Sequence, residues 1–327
     1  MHSVQRNCLE ICRSQMEYND SQTYHVPVML REVLDGLAIN PSGIYVDVTF
    51  GGGGHSRAIL EQLGPTGRLL AFDQDEEAAA NAIDDPRFTL IGENFRHLRS
   101  FLRLHGVRQI DGLLADLGVS SHQFDTAERG FSTRFDGELD MRMDRRNPLT
   151  ARAIVNTYDE ADLTRLLRFY GELPNARQMA HAIVQARSQA EIVSTGDLRL
   201  AVAHHLPRGM ENKYLAMLFQ ALRIEVGGEL DALREMLVQA SQMLVPQGRM
   251  VIISYHSLED RLVKNFMRSG NFEGHEEKDF YGNSLSPMRM ISHGAIKASD
   301  EEVAANSRAR SARLRVGMRR NIDVAEK

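Results

Sequence analysis

The chain has 327 residues, of which 43% are hydrophobic and 25% charged, with a formal net charge of −5. That length supports one large core or two moderate ones, and the composition is that of an ordinary globular protein. No apolar run reaches membrane-spanning length and the first thirty residues hold no signal-peptide stretch, so a cytoplasmic protein with no membrane partner is expected. Proteins that hold nucleic acid by overall electrostatics are usually basic; any such contact here must rest on local patches.

Residues 1–22 read as an N-terminal extension. They carry the two cysteines, Cys8 and Cys12, with too few neighbouring ligands for a metal site, so both read as reduced thiols and no metal is expected. The recognisable domain begins near Tyr24, and Met16 is an alternative start.

Five short apolar segments then read as strands: Ile44–Val48, Arg68–Phe72, Phe88–Ile91, Ile110–Ala115 and Arg249–Ser254. Several are almost continuously apolar, as in strands buried on both faces of a parallel sheet. Helices are expected over Ser56–Leu63 and over Asp75–Ile83, the latter opening with acids that suit a helix N-terminus. Alternating strand and helix predicts an α/β, doubly wound, Rossmann-like domain.

The fourth and fifth strands are separated by residues 116–248, far more than a crossover needs. One helix carrying Leu230, Leu233, Leu237 and Leu244, ended by Pro246 to Gly248, supplies that crossover. The remainder, about 126–215, reads as a helical insert with segments Glu160–Tyr170, Ala176–Ala190 and Thr195–His204. Its 13 Lys and Arg against 12 Asp and Glu make it mixed in charge, not a polycationic arm. Residues 23–125 and 216–327 would then be the two halves of the sheet domain. Ser257 starts a further helix with Asp260 as its shortened capping-box acid. Arg313 to Arg319 alternates basic and apolar residues like a half-buried strand.

The sharpest local signal is Asp47-Val48-Thr49-Phe50-Gly51-Gly52-Gly53-Gly54-His55-Ser56, after the first strand and opening a helix. Glycines let the backbone approach a ligand closely, and the helix N-terminus offers free N–H groups. Asp73 ends the second strand about twenty residues on, where an acid accepts hydrogen bonds from both hydroxyls of a ribose. Together these specify an adenosine-containing cofactor. A dinucleotide fingerprint wants Gly-x-Gly-x-x-Gly; Gly51 and Gly53 fit, but the last position is Ser56. Asp47 would repel a pyrophosphate and suits a cofactor with a positive amino group and sulfonium. That favours S-adenosylmethionine over NAD.

A second motif, Asp116-Leu117-Gly118-Val119-Ser120-Ser121-His122-Gln123, ends the fourth strand, and a third, Ser254-Tyr255-His256-Ser257-Leu258-Glu259-Asp260-Arg261, ends the fifth. Both lie where ligands bind such sheets. Taken alone, His256 reads as a structural histidine, and Glu259 and Asp260 with Arg261 as helix-start charge pairing. The arginine-rich tail (Arg308, Arg310, Arg313, Arg315, Arg319, Arg320) suits phosphate contacts, or else a solvated strand face that discourages edge pairing.

These blocks, with Tyr24 to Val28, Glu128-Arg129-Gly130-Phe131-Ser132, Leu139 to Asp144, Phe219 to Ile224 and Ser307 to Ser311, resemble one family from about Tyr24 to Arg320. It is the ribosomal RNA small-subunit methyltransferase H family, also called MraW. The resemblance implies a class I methyltransferase sheet and methylation of the exocyclic N4 amine of a cytidine in 16S rRNA, at the decoding centre. It implies that the helical insert helps recognise substrate. It places cofactor contacts on Gly53, Gly54, His55, Asp73, Phe95, Asp116 and Gln123. Two departures stand out: Gly227 replaces the family's usual asparagine, and Tyr214-Leu215-Ala216-Met217 replaces a His-Pro-Ala-Thr block.

Methyl transfer from a sulfonium is an in-line displacement, so the enzyme's task is to align amine and methyl. Asp116 is the candidate catalytic acceptor for the amine. Ser254, His256, Arg308, Arg310 and Arg313 are candidate contacts to the RNA, which the negative net charge suggests is met within a preassembled small subunit. An NAD-dependent oxidoreductase and a non-catalytic ribosome-assembly protein are the competing classes.

Overall fold

The computed structural model describes residues 27–118, 129–132 and 136–321. Gln123, with Val119 to His122, and the features of the N-terminal extension lie outside the described residues.

A sheet forms the spine. Strands β1 (Ile44–Asp47), β2 (Arg68–Phe72), β3 (Phe88–Ile91), β4 (Ile110–Asp116) and β5 (Leu244–Ser254) run parallel. β6 (Met288–Met290), β7 (Ile296–Lys297) and β8 (Arg313–Arg319) follow, and the order is β3-β2-β1-β4-β5-β8-β6, with β7 beside β8. β8 is antiparallel to β5, pairing Ser254 with Arg313 and Arg249 with Met318. The continuous apolar runs are explained by two-sided burial: Val46, Leu70, Leu113 and Ile252 face one core, Leu69, Leu114, Val251 and Ile253 the other. Strand order reverses between β1 and β4, the place where open α/β sheets carry their ligands.

Helices α1 (Leu30–Leu37) and α2 (Gly54–Gln62) cover one face, and α3 (Leu98–Leu104) lies on the other. Between β4 and β5 come α4 (Ala151–Thr157), α5 (Glu160–Phe169), α6 (Ala176–Gln189), α7 (Thr195–Val202), α8 (Glu211–Gly227) and α9 (Glu229–Met243). α10 (Ser257–Ser269) and α11 (Asp300–Ala305) flank the last strands. The helices from α4 to α8 enclose a core of their own around Leu163, Met179, Ile183 and Leu222.

Several local expectations are corrected. The expected helix over Asp75–Ile83 is a 3-10 turn, Glu76–Asn81, capped by the Asp75 carboxylate at 3.2 Å from the Glu77 N–H. β5 begins at Leu244, not Arg249; Leu244 pairs with Ile110, the chain bends through Gln247 at φ 67°, and regular pairing resumes at Arg249. The helical core does not end at residue 215. α8 runs through that point, giving Leu215, Leu218 and Phe219 to the helical core and Ile224 to the sheet core. The Leu215 of the departing block is therefore a packing residue, and Gly227 ends α8 before Gly228 turns the chain at φ 57°.

The cap of α10 is His256 with Glu259, one residue ahead of the expected Ser257 with Asp260. Asp260 is instead drawn to β8, where Arg315 donates to both its oxygens at 2.7 and 3.0 Å. Burial alone would raise Asp260, but Arg315 and Arg313 outweigh it and hold it below the ordinary carboxylate range. β8 is thus an inner strand with a buried arginine, not a solvated edge. Removing one partner of a buried pair leaves the other charge uncompensated. Asp260→Ala should lower unfolding stability by about 3–5 kcal/mol, read from the shift of the urea midpoint.

Candidate cofactor cleft and reaction rim

The cleft is built at the carboxyl ends of β1, β2 and β4. After β1 the chain reverses over Gly51 to Gly53, closed by the Gly53 N–H on the Phe50 carbonyl at 2.8 Å. Gly51 and Gly53 sit at φ 51° and 75°, a left-handed conformation that a side chain would strain. Beyond the Cα atoms of Gly51 and Gly52 the nearest 4 Å is empty, so a ligand can lie directly on the backbone there. Gly53 and Gly54 are glycines for another reason. A Cβ would stand 2.9 Å from the Phe50 ring at the first and 2.4 Å from Pro27 at the second. The open backbone faces of Gly51 and Gly52 were not singled out from sequence, because four equal glycines do not say which two touch protein.

Asp73 stands beside this turn. Its Oδ2 accepts the Gly51 N–H at 2.8 Å and its Oδ1 the Asp75 N–H at 2.9 Å. Burial is the largest influence on it; the two N–H groups pull the other way, and the net effect pushes Asp73 up to about 6. Asn94 donates to the Gln74 side chain at 2.6 Å, joining the β3 loop to the β2 loop at the same end. Phe95, the next residue, is half-buried against the sheet core, with part of its ring left toward solvent.

Asp47 does not reach the cleft. It is 1% exposed, its Oδ2 accepting from the Ser56 hydroxyl at 2.7 Å and its Oδ1 from the Thr49 N–H at 3.1 Å. Its part is to fix the turn and add negative field, rather than to grip an amino group. Burial raises it, opposed chiefly by His55. The His55 ring is buried; Nε2 donates to the Val28 carbonyl at 3.0 Å, since a carbonyl can only accept, and Nδ1 lies 3.8 Å from Asp116 Oδ2.

Asp116 is the pivot of the rim. Its N–H donates to the Thr49 hydroxyl at 2.7 Å, and its Oδ1 accepts the Tyr255 hydroxyl at 2.7 Å. Oδ2 receives no direct hydrogen bond from a described residue, and the side chain keeps 23% of its exposure. Burial raises Asp116, His55 and the Tyr255 bond oppose it, and Asp47 and Glu259 add to it. Tyr255, itself raised by burial first and by Asp116 next, was overlooked in the sequence because its neighbour His256 looked the more chemical residue.

The other rim candidates turn inward. Ser254 is 1% exposed and donates to the Arg313 carbonyl. His256 caps α10 through Nδ1, and its Nε2 lies 3.0 Å from Glu259 Oε1. Glu259 also accepts the Tyr255 N–H at 3.0 Å. Burial would raise Glu259, but His256 and Arg223 hold it below its ordinary value. Glu229, His256 and Glu259 bring potential metal-ligating atoms within 4.8 Å of one another, and Arg223, paired with Glu229 at 2.9 Å, is a cation already matched to them. In the tail, Arg313 leans on Asp260 at 3.3 Å with half its side chain exposed, Arg310 is exposed, and the Arg308 N–H donates to Asn306.

Residues from beyond β4 pack over the loop that follows β2. Arg129, 4% exposed, pairs with Asp75 and Glu77, each at 3.0 Å, and Met143 receives the Gln74 amide at 3.3 Å.

Parallel strands, a glycine turn at the switch point and a ribose-height carboxylate define a Rossmann-like α/β domain of the class I methyltransferase type. The chain belongs to the MraW methylase family, whose family model matches residues 22–320. It is 57% identical over 293 residues to the ribosomal RNA small subunit methyltransferase H of Flavobacterium johnsoniae, covering 90% of this chain and 97% of that one. The Bacteroides thetaiotaomicron protein of the same name is 54% identical over 297 residues, covering 91% and 98%. Among solved structures, an rRNA methylase from Streptococcus thermophilus aligns with a TM-score of 0.39 at 12% identity, covering 91% of this chain and 100% of that chain. Among the described residues no helix is long and apolar enough to cross a membrane.

Asp73 can accept two ribose hydroxyls only when ionised. With its proton leaving near 6, adenosyl-ligand affinity should be constant above pH 7 and fall about tenfold by pH 5. Calorimetric titration with S-adenosylhomocysteine at both pH values checks this. Asp73→Asn should bind at least tenfold more weakly at pH 7 and lose that pH dependence.

Proposed function

We propose that this protein uses S-adenosylmethionine to methylate the N4 amine of a cytidine in 16S rRNA, at the decoding centre of the small ribosomal subunit. What supports the substrate is membership of the MraW methylase family and identity above 50% to proteins named ribosomal RNA small subunit methyltransferase H. The observation that carries the chemistry is Asp116, partly exposed, with one oxygen bonded by Tyr255 and the other receiving no direct hydrogen bond from a described residue.

The residues present fit the cofactor. The space above Gly51 and Gly52 would be filled by a Cβ at either position, and Asp73 offers carboxylate oxygens beside it. Bound there, S-adenosylmethionine supplies an electrophilic methyl group on a sulfonium. Asp73 takes the ribose hydroxyls, and Phe95 offers a partly open ring face to the adenine. Asp47 and Asp116 add negative field that favours a cationic donor over a pyrophosphate. Gly53, Gly54 and His55 hold the turn's shape, His55 by its bond to Val28.

On the substrate side, the cytosine amine is a poor nucleophile because its lone pair is delocalised into the ring. Asp116 Oδ2 accepts a hydrogen bond from the amine and turns that lone pair toward the methyl carbon. Receiving the methyl group from the bound sulfonium, which would leave as the neutral thioether, would make the nitrogen cationic. Asp116 then takes the surplus proton, a role its burial-raised affinity favours. The base must leave its stack to enter, as in other enzymes acting on bases.

Tritium transfer from labelled S-adenosylmethionine to unmodified small subunits, with the label traced to N4-methylcytidine, tests the reading; incorporation elsewhere or nowhere would overturn it. In that assay Asp116→Asn should lower kcat about 100-fold at saturating cofactor, and unchanged turnover would remove Asp116 from the chemistry.

A further inference from the structure

Antiparallel helices α5 and α6 leave an open groove of about 470 Å³ on their outer side, whose lining includes Arg165, Arg168, Phe169 and Arg177. Two features set it apart from an ordinary solvated face. Phe169 is 61% exposed, whereas most large apolar side chains of these helices are in the core. Arg168 and Arg177 are exposed and pair with no carboxylate among the described residues, while Arg165 pairs with Asp162 at 2.8 Å and Glu160 with His181 at 3.0 Å. In a chain of net charge −5, two free guanidiniums beside an open aromatic ring form a local cationic patch.

The loop beyond the groove is tied to the helix that follows the rim. Three residues after Phe169, Glu172 holds a left-handed backbone at φ 51°, uncommon for a residue with a side chain. Its carboxylate accepts the Ser257 hydroxyl and pairs with Arg261 at 3.6 Å. Ser257 opens α10, two residues beyond Tyr255, the partner of Asp116. Arg261, Lys264 and Arg268 then continue along one exposed side of α10. The loop that follows Phe169 is thus tied to the helix that follows Tyr255, and both α5 and α10 carry exposed cations.

We infer that the α5–α6 groove docks a single-stranded stretch of rRNA flanking the target nucleotide, with a base stacked on Phe169 and phosphates on Arg168 and Arg177. Stacking on an aromatic ring tolerates any base, and guanidiniums match phosphate oxygens in pairs. Both are cheap ways to hold a neighbouring strand while the cleft reads the cytosine. The inference rests on the rRNA-methyltransferase reading above.

The full-length protein is assayed on unmodified small subunits, and its binding to a 12-nucleotide single-stranded RNA is followed by fluorescence anisotropy. All three side chains are exposed, so substitution should leave the fold intact, which circular dichroism and S-adenosylhomocysteine affinity verify. The paired variant Arg168→Glu/Arg177→Glu should raise KM for subunits at least tenfold, with kcat and S-adenosylhomocysteine affinity within twofold of the parent. It should also flatten the salt dependence of oligonucleotide binding by about 1.4 in log–log slope, two phosphates' worth. Phe169→Ala should weaken oligonucleotide binding at least fivefold with the slope unchanged. Arg31→Glu, on α1 across the sheet, should change neither. If the paired variant keeps its KM and slope, the inference fails. If it loses affinity for subunits but not for the oligonucleotide, the occupant is a ribosomal protein and the inference fails as well. A parent protein that transfers no methyl group would instead refute the function on which it rests.

Discussion

Three carboxylates end three neighbouring parallel strands, and each is driven upward by burial: Asp47 on β1, Asp73 after β2 and Asp116 on β4. An ionised acid out of water is tolerated only where donors replace its hydration. The turn after β1 supplies most of those donors. Thr49 gives its N–H to Asp47 and accepts the Asp116 N–H on its hydroxyl, Ser56 serves Asp47, and the Gly51 N–H serves Asp73. The shape of the turn is therefore set by the acids around it as much as by its glycines. Asp73 and Asp116 keep partial exposure, whereas Asp47 keeps almost none.

The helical region is tied to this centre through one helix. α8 packs Leu215 through Val226 into the helical core and presents Ile224 to the sheet core. Near its end Arg223 is clasped by Glu229 of α9 and lends its charge to Glu259 of α10. Glu259 in turn holds His256 and the Tyr255 backbone, and Tyr255 holds Asp116. A chain of ion pairs and hydrogen bonds, bridged between Arg223 and Glu259 by charge alone, thus links the helical core to the carboxylate at the rim. Arg129 makes a second tie on the far side of the cleft, from the segment beyond β4 to Asp75, whose N–H bonds Asp73.

The sheet was legible in the sequence because two-sided burial leaves continuous apolar runs, and strands such as Arg68–Phe72 have no helical alternative at that length. The glycine turn and Asp73 were legible because local geometry alone relates them to β1 and β2. What escaped was set by distant partners. Asp260 reads as a helix cap until Arg315, 55 residues on, claims it, and the cap passes to His256 and Glu259. Ser254 and His256 look like rim chemistry in the linear motif, yet strand pairing with Arg313 and the charge of Glu259 turn them inward. Tyr255 shows the reverse: its role exists only once β4 and β5 lie side by side and bring Asp116 within 2.7 Å. Residue 215 lies inside α8 for a related reason, since composition cannot mark the point where one continuous helix touches two cores.

The negative cleft raises a question that composition alone could not frame. A polyanionic strand is repelled by the same acids that favour a sulfonium, and at a net charge of −5 no global field offsets this. The resolution is spatial separation. Within the cleft only a neutral base need approach, and a hydrogen bond to Asp116 suits it. Phosphates, 6–7 Å apart along a strand, can be kept outside if cations stand beyond the first Debye length of the acids, about 8 Å in physiological salt. Exposed arginines on α5, α6 and α10 are the cations available for such a flank, Arg261 being held by Glu172 at 3.6 Å. On the proposed reading, selectivity for one base would then rest on charge placement rather than charge amount.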